Sequence, residues 1–221
     1  MYEISESKLV PQSCITTLHQ LIETRGFFCT EESLKDAFKT LEVEGVEFLS
    51  CKSKNGLQTL RVLFFYDRLQ KKIMKDNTDR EQRKLGERDQ LLIIHVILED
   101  KTAWNTKVRE QDDRVTYLTQ KELIQNILLH KWVPLHEKVD DRERNHVCKV
   151  YNIQDLSHTL PLLSLEDPIA KFHGWKCGDI IRITRKPLLC PRSGPASKHI
   201  GSGCGTYISY RYVAKIHTED V

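Results

Sequence analysis

Two groups of residues in this chain have types and spacing that could do chemistry. The first is Asp67 with the later run Glu99-Asp100-Lys101. An acid on one strand and Glu-x-Lys on the next would hold a divalent metal and polarise a water against a phosphodiester, so a metal-dependent nuclease is one reading. Two facts weigh against it. Both groups follow their predicted strands instead of lying within them, and so short a pattern recurs by chance in a chain with 34 Lys and Arg and 31 Asp and Glu. The second group is Cys190, His199 and Cys204, with Cys177 nearby in sequence. Zinc takes such ligands, yet there is no Cys-x-x-Cys pair and the spacing fits no standard ribbon or finger. A loop with incidental thiols is the simpler reading, and neither a metal nor a cofactor is expected. Gly201-Ser202-Gly203-Cys204-Gly205 lacks the Lys-Ser/Thr of a phosphate-binding loop and follows no strand.

The elements around these groups are legible from periodicity. Ile15, Leu18 and Ile22 share a face of a helix over 13–25, which Gly26 ends. Thr30 caps a second helix, with Glu31 and Glu32 in its first turn and Leu34, Ala37, Phe38 and Leu41 as its buried stripe. The period then changes to two. Val46 and Phe48 run toward Cys51, Asn55-Gly56 signals a hairpin, and Leu60, Val62, Phe64 and Tyr66 alternate on the return. The charged stretch 67–89, with sparse apolar positions at Leu69, Ile73 and Leu85, reads as a partly exposed helix and a loop. Leu91 to Leu98 has the length and composition of a central strand covered on both faces, with His95 as a hydrogen-bonded core residue. A strand over 115–118 leads into a helix marked by the capping-box pair Thr119 and Glu122, with Leu123, Ile124, Ile127 and Leu128 as its buried face. An α/β domain thus spans 1–126.

A second, smaller mixed α/β domain spans 127–221. Asp140 or Asp141 opens a helix carrying Val147, Val150 and Tyr151, with Asn152 near its end. Asp167-Pro168 is a cap followed by proline at the first helical position, and Gly174 stops that short helix. Gly178-Asp179 is a turn, 180–183 a strand and 207–216 its partner, separated by a long Gly-, Pro- and Ser-rich loop over 187–206. The fold class is therefore α+β with two domains.

Composition narrows the function classes. The chain has 221 residues, 39% hydrophobic and 29% charged, and a formal net charge of only +3. That balance does not announce a nucleic-acid-binding domain, so any DNA contact must be local. The longest apolar run, interrupted by His95, falls short of the ~20 residues of a membrane helix, and no membrane partner is expected. The start Met1-Tyr2-Glu3-Ile4-Ser5-Glu6 lacks the basic and apolar parts of a signal peptide. Seven scattered cysteines suggest no disulfide framework and favour a reducing compartment, cytosol or nucleus.

The second domain contains a specific run of residues: Trp132-Val133-Pro134-Leu135-His136-Glu137-Lys138-Val139, then Leu160-Pro161, then Asp167-Pro168-Ile169-Ala170-Lys171. It closes with Gly174, Gly178-Asp179-Ile180-Ile181-Arg182-Ile183 and Tyr210-Arg211-Tyr212-Val213. In order and spacing this resembles the H-type subunit of archaeal RNA polymerase and the matching shared subunit of eukaryotic nuclear polymerases. The resemblance implies a non-catalytic subunit that docks on the largest polymerase subunit and the rest of the core, not on further copies of itself. The preceding domain resembles, in its order of elements, the eukaryotic-type jaw, which has a restriction-endonuclease-like topology without nuclease activity and lies beside incoming DNA. The long loop departs from the family's short connection and suggests a divergent protist or a large DNA virus. The implied location is the nucleus for a cellular protein, or the virion and host cytoplasm for a viral one. Asp167, Pro168, Gly174, Gly178 and Asp179 serve as structural turns. Pro134, His136, Tyr207, Tyr210, Arg211 and Tyr212 are the expected interface. One face of the last strand, either Ile208, Tyr210 and Tyr212 or Tyr207, Arg211 and Val213, should meet the partner, because so small a unit cannot cover both.

In that family the loop after the buried strand carries a Thr-Pro-Ser-Ala-Lys element beside downstream double-stranded DNA. Here Thr102, Thr106 and Lys107 resemble it, without the proline and with Trp104 added. Lys101 and Lys107 suit phosphate neutralisation, the Thr hydroxyls suit phosphate hydrogen bonds, and nothing there is built to read bases. Glu99 and Asp100 oppose such a contact, and a solvated loop remains the alternative. Reversing the charge of Lys101 and Lys107 together should lower the salt-sensitive stability of elongation complexes and leave subunit assembly intact. Unchanged retention of downstream DNA at every salt concentration would remove the loop from the DNA path.

Overall fold

The computed structural model describes residues 11–44, 46–66, 71–96, 112–185 and 206–215. The nuclease candidates Asp67 and Glu99-Asp100-Lys101, the DNA-contact candidates Lys101, Thr102, Thr106 and Lys107, and the loop with Cys190, His199 and Cys204 lie outside the described residues, as does Leu69. Contacts divide the chain into two compact units: residues 1–126 with 168–174, and residues 127–167 with 175–221. The sequence groups 168–174 with 127–221, whereas its contacts join that segment to the first unit.

The first unit runs α1 (Gln12–Thr24), β1 (Phe27–Phe28), α2 (Glu31–Glu44), β2 (Val46–Ser53), β3 (Thr59–Tyr66), α3 (Lys71–Arg83), β4 (Gln90–Val96), β5 (Val115–Thr119) and the single turn α4 (Gln120–Leu123). Its sheet has the order β1-β2-β3-β4-β5, antiparallel as far as β3 and parallel from β3 to β5. Parallel strands are stable when both faces are covered, and here they are. On one face Phe38 of α2 meets Phe64 edge-on at 4.9 Å. On the other, Leu63, Phe65, Leu91, Ile93, Val115 and Tyr117 form a core with Met74 of α3. Strand β3 is therefore buried on both faces and not on one, as its alternation suggests. Burying Leu91, Leu92, Ile93 and Ile94 contributes roughly 1.5–3 kcal/mol each.

Three helix expectations change. In α3 the inward residues are Met74, Thr78 and Glu81, at helical spacing, whereas Ile73 is exposed. The sheet accepts Glu81 because Arg61 (2.8 Å) and Lys84 (2.6 Å) neutralise it. Burial alone would raise its carboxyl, but the hydrogen bonds from Lys84 and Arg61 hold it below the usual range. The helix after β5 stops after one turn despite its capping box. Asn126 turns inward to donate to Gln20 at 2.8 Å, and Ile124 faces solvent. The second unit's helix α5 (Asp141–Val150) likewise leaves Val150 and the adjoining Tyr151 exposed.

The segment Pro168–His173 (α7) packs in the first unit through Arg25, just beyond α1. The guanidinium donates to the carbonyls of Phe172 (3.2 Å) and Lys171, to Gln90 Oε1 (3.1 Å) and to Thr116 Oγ1 (3.3 Å). The two carbonyls belong to a helix end, where backbone acceptors lack intrahelical partners and the dipole favours a cation. Burial pushes the Arg25 guanidinium down to about 9, still charged at neutral pH.

His95 lies between Phe65 and Tyr117, with ring centroids at 5.5 and 5.7 Å, and burial pushes its imidazole down to about 4. Its folded value lies below the unfolded one, so the unfolded chain binds more protons between those values. The contribution to stability is then full above about pH 6.5 and lost as pH falls toward 4. Between neutrality and pH 5 the loss is on the order of 2 kcal/mol. Urea unfolding across that range should show it, and His95→Phe should flatten the dependence; an equally steep profile in the variant would assign the loss to other groups.

Gly26 and Gly174 both have positive φ, 84° and 67°. A Cβ at Gly26 meets nothing within 4 Å, whereas one at Gly174 would lie 2.9 Å from Arg25 Nε and Cζ. Gly26→Ala should cost roughly 1–2 kcal/mol of backbone strain, and Gly174→Ala about 1 kcal/mol or more beyond that from overpacking. Equal costs in denaturant titrations would mean that Arg25 yields without loss.

Candidate assembly surface

The second unit contains a 3-10 turn (Ile127–Leu129), β6 (Leu135–Lys138), α5 (Asp141–Val150), α6 (Leu156–Thr159), β7 (Leu162–Ser164), β8 (Ile180–Arg185) and β9 (Tyr207–Ala214). In the chain, α7 falls between β7 and β8. Asp140 caps α5 by accepting from the Glu143 amide at 2.7 Å, and Asn152, with φ 50°, ends it. The strands form one sheet of order β6-β8-β9-β7, in which only β7 and β9 are parallel. Sequence periodicity does not reveal β6 or β7. Both are too short to show an alternation, and Leu-His-Glu-Lys in β6 has no apolar period.

One row across the sheet places Glu137, Arg182 and Tyr210 side by side. Arg182 donates through Nη2 to Glu137 (2.9 Å) and through Nη1 to both oxygens of Glu143 on α5 (2.9 Å). The Tyr210 hydroxyl donates to the same Glu143 at 3.1 Å. The Glu137 hydrogen bond, then the charge of Glu143, raises Arg182, while desolvation and Glu143 raise Tyr210. This cluster fastens α5 over one end of the face, where Val147 and Ile180 are buried. It escapes sequence analysis because its carboxylate, guanidinium and phenol partners lie far apart in the chain.

The next row on the same face is Leu135, Thr184 and Ile208. Here Leu135 is 58% and Ile208 49% exposed; Tyr207, at the start of β9 and on the other face, is 60% exposed. The opposite face buries Ile181, Ile183, Val213 and Leu163 with Trp175. His136 sits on that face, its Nδ1 bonded to the Pro134 carbonyl at 2.7 Å and its ring 6.5 Å from Trp175. Burial lowers its imidazole.

The expected interface residues therefore divide. Tyr210 is bonded to Glu143, Arg211 donates to the Leu162 carbonyl at 3.1 Å, and Tyr212 is half-buried beside Gly178. Tyr207 remains open, together with Ile208 and Leu135. The turn residues have plain structural roles. Gly178, at φ 91°, donates its amide to the Val213 carbonyl (3.0 Å). Asp179 accepts from the Lys176 amide (2.9 Å) and pairs with Lys138 (2.7 Å). Asp167 donates its amide to the Ser164 carbonyl (3.0 Å), and Pro168 begins α7. Among the described residues no group of three or more His, Cys, Asp or Glu side chains is placed to hold a metal ion, and no helix is long and apolar enough to cross a membrane.

Most of the chain's similarity to known proteins falls on the segment that holds this sheet. Residues 125–192 match the family described as RNA polymerase Rpb5, C-terminal domain. The archaeal DNA-directed RNA polymerase subunit Rpo5 of Staphylothermus marinus is 39% identical over 88 residues, which are 40% of this chain and 79% of that protein. The chain belongs to the Rpb5 family of DNA-directed RNA polymerase subunits. Outside the archaea, DNA-directed RNA polymerase subunit 5-like protein 1 of Arabidopsis thaliana is 33% identical over 66 residues, 30% of each chain. A protein of Invertebrate iridescent virus 6, whose name includes DNA-directed RNA polymerase subunit, is 29% identical over 107 residues, covering 44% of this chain and 58% of its own. Similarity thus spans most of the archaeal Rpb5 relative and about a third of the plant one. The family match takes in Glu137, Glu143, Arg182 and the Gly174 and Gly178 turns, and it ends before β9.

Proposed function

We propose that this chain is a non-catalytic subunit of a multisubunit DNA-directed RNA polymerase, joined to the largest subunit of the core through its second unit. The observation that carries this reading is the match of residues 125–192 to the Rpb5 C-terminal domain, most of which falls on that unit. The open end of its sheet, with Leu135 and Ile208 exposed on one face and Tyr207 on the other, supplies apolar and aromatic surface of the kind that anchors a protein interface. The first unit then acts as a eukaryotic-type jaw beside downstream DNA. Helices on both faces of its mixed sheet support that reading. The segment with Lys101, Thr102, Thr106 and Lys107 is the proposed DNA contact. A viral relative and a plant one make transcription in the nucleus or at a viral transcription site the matching location.

Purification of the tagged chain from its source should bring down the two largest polymerase subunits in equal amounts. Recovery alone, or with partners other than a polymerase, would overturn the proposal. Tyr207→Asp with Ile208→Asp should release the chain from the polymerase by tenfold or more while its circular dichroism stays native. Undiminished association of this folded double variant would place the interface elsewhere in the chain.

A further inference from the structure

Cys29 and Cys51 face each other at the edge of the first unit's sheet. Strand β1 pairs with β2 in antiparallel register, with Phe27 opposite Ser53 and Phe28 opposite Lys52, and the same register carried one residue past the end of β1 brings Cys29 opposite Cys51. Directly opposed residues in antiparallel strands have Cα separations of about 4.5–5.5 Å, inside the ~4.4–6.8 Å span of disulfides. The Cys29 thiol donates to the neighbouring Thr30 carbonyl at 3.4 Å. The backbone beneath the two thiols is held: His19 Nε2 donates to the Cys29 carbonyl at 2.9 Å, and Cys51 lies opposite Leu60 in β3. The pair is also asymmetric. Cys51 is 2% exposed, whereas Cys29 is only partly covered.

We propose that Cys29 and Cys51 form a redox-active dithiol that a small-molecule disulfide converts into a cross-strand disulfide, with Cys29 attacking and Cys51 resolving. The Cys29 thiolate attacks one sulfur of oxidised glutathione, forming a mixed disulfide and expelling one glutathione thiolate. Cys51 passes its proton to that thiolate and attacks Cys29 Sγ, forming the intramolecular bond and expelling the second glutathione. Two protein thiols are oxidised and one glutathione disulfide is reduced to two thiols, so atoms and electrons balance. The order of attack follows from access, since Cys29 is partly open and Cys51 is buried. The neighbouring Cys51 holds the Cys29 thiol below its ordinary range, while Cys29 and burial push Cys51 up.

The test treats the folded full-length chain with oxidised glutathione at mildly alkaline pH, traps it with acid and an alkylating agent, and maps the peptides by mass spectrometry. The first intramolecular bridge should join Cys29 to Cys51, lowering the chain mass by two hydrogens, and dithiothreitol should reverse it. Cys51→Ala should stop at a glutathione adduct on Cys29, and Cys29→Ser should leave Cys51 unmodified. If a variant fails to fold, the order of bridge formation in the wild-type chain decides. The proposal is overturned if Cys29 and Cys51 stay as thiols while the exposed Cys177 takes up glutathione, or if Cys29 bridges first to another cysteine.

Discussion

Arg25 gives donors to the last carbonyls of α7 and, on the same guanidinium, to Gln90 and Thr116 at the starts of β4 and β5. One side chain thus serves a helix C-terminus and two sheet strands together. It works because a planar guanidinium presents several fixed donors, whereas an ammonium at the same place would act as a flexible point charge. The absence of a side chain at Gly174 lets the guanidinium approach, since a Cβ there would occupy its space. Lys171, one turn away, adds an ion pair to Glu122 at 2.7 Å, and Glu122 at once completes the capping box of Thr119. Burial would raise Glu122, but Lys171 and the Thr119 hydrogen bonds hold it low. A short segment from late in the chain becomes part of the first unit through these polar contacts, and its Ala170 and Phe172 are buried as well.

The sheet that Arg25 touches is covered on both sides, which lets it tolerate so much polarity within. Glu81, Thr78 and His95 are all buried. Each is accommodated differently: Glu81 by two cations, Thr78 by back-bonding to the Met74 carbonyl at 2.8 Å, and His95 by remaining neutral between two aromatic rings. A buried charge is tolerable only with partners, and a buried imidazole is less costly uncharged. The covered sheet accordingly loses stability toward acid pH.

In the second unit, polarity does the opposite work. The Glu137, Arg182, Glu143 and Tyr210 cluster is only partly shielded, so its ion pairs contribute modestly to stability. Its effect is geometric: it keeps α5 over one end of the sheet and leaves Leu135 and Ile208 uncovered at the other. A four-stranded sheet with one apolar end open is the form expected of a module completed by a partner.

Much of this is legible in the chain itself. The stripe Leu34, Ala37, Phe38 and Leu41, the Asn55-Gly56 turn, the run from Leu91, the cap at Asp140 and the helix start at Pro168 are local signals, set by helical or strand period and by backbone φ. The resemblance to a polymerase subunit rests on the same kind of information, glycines and prolines at fixed spacing. Sequence cannot tell that β3 is buried twice, that Met74 and not Ile73 turns inward, or that the helix after Thr119 ends in one turn, because neighbours distant in the chain decide each. Nor can it tell that Tyr210 and Arg211 are engaged locally while Tyr207 and Ile208 stay open. Periodicity assigns a residue to a face, but only the tertiary structure decides which part of that face another element covers. For the same reason Arg25 looks like any basic residue after a helix. Its role exists only once α7, β4 and β5 bring their acceptors around it.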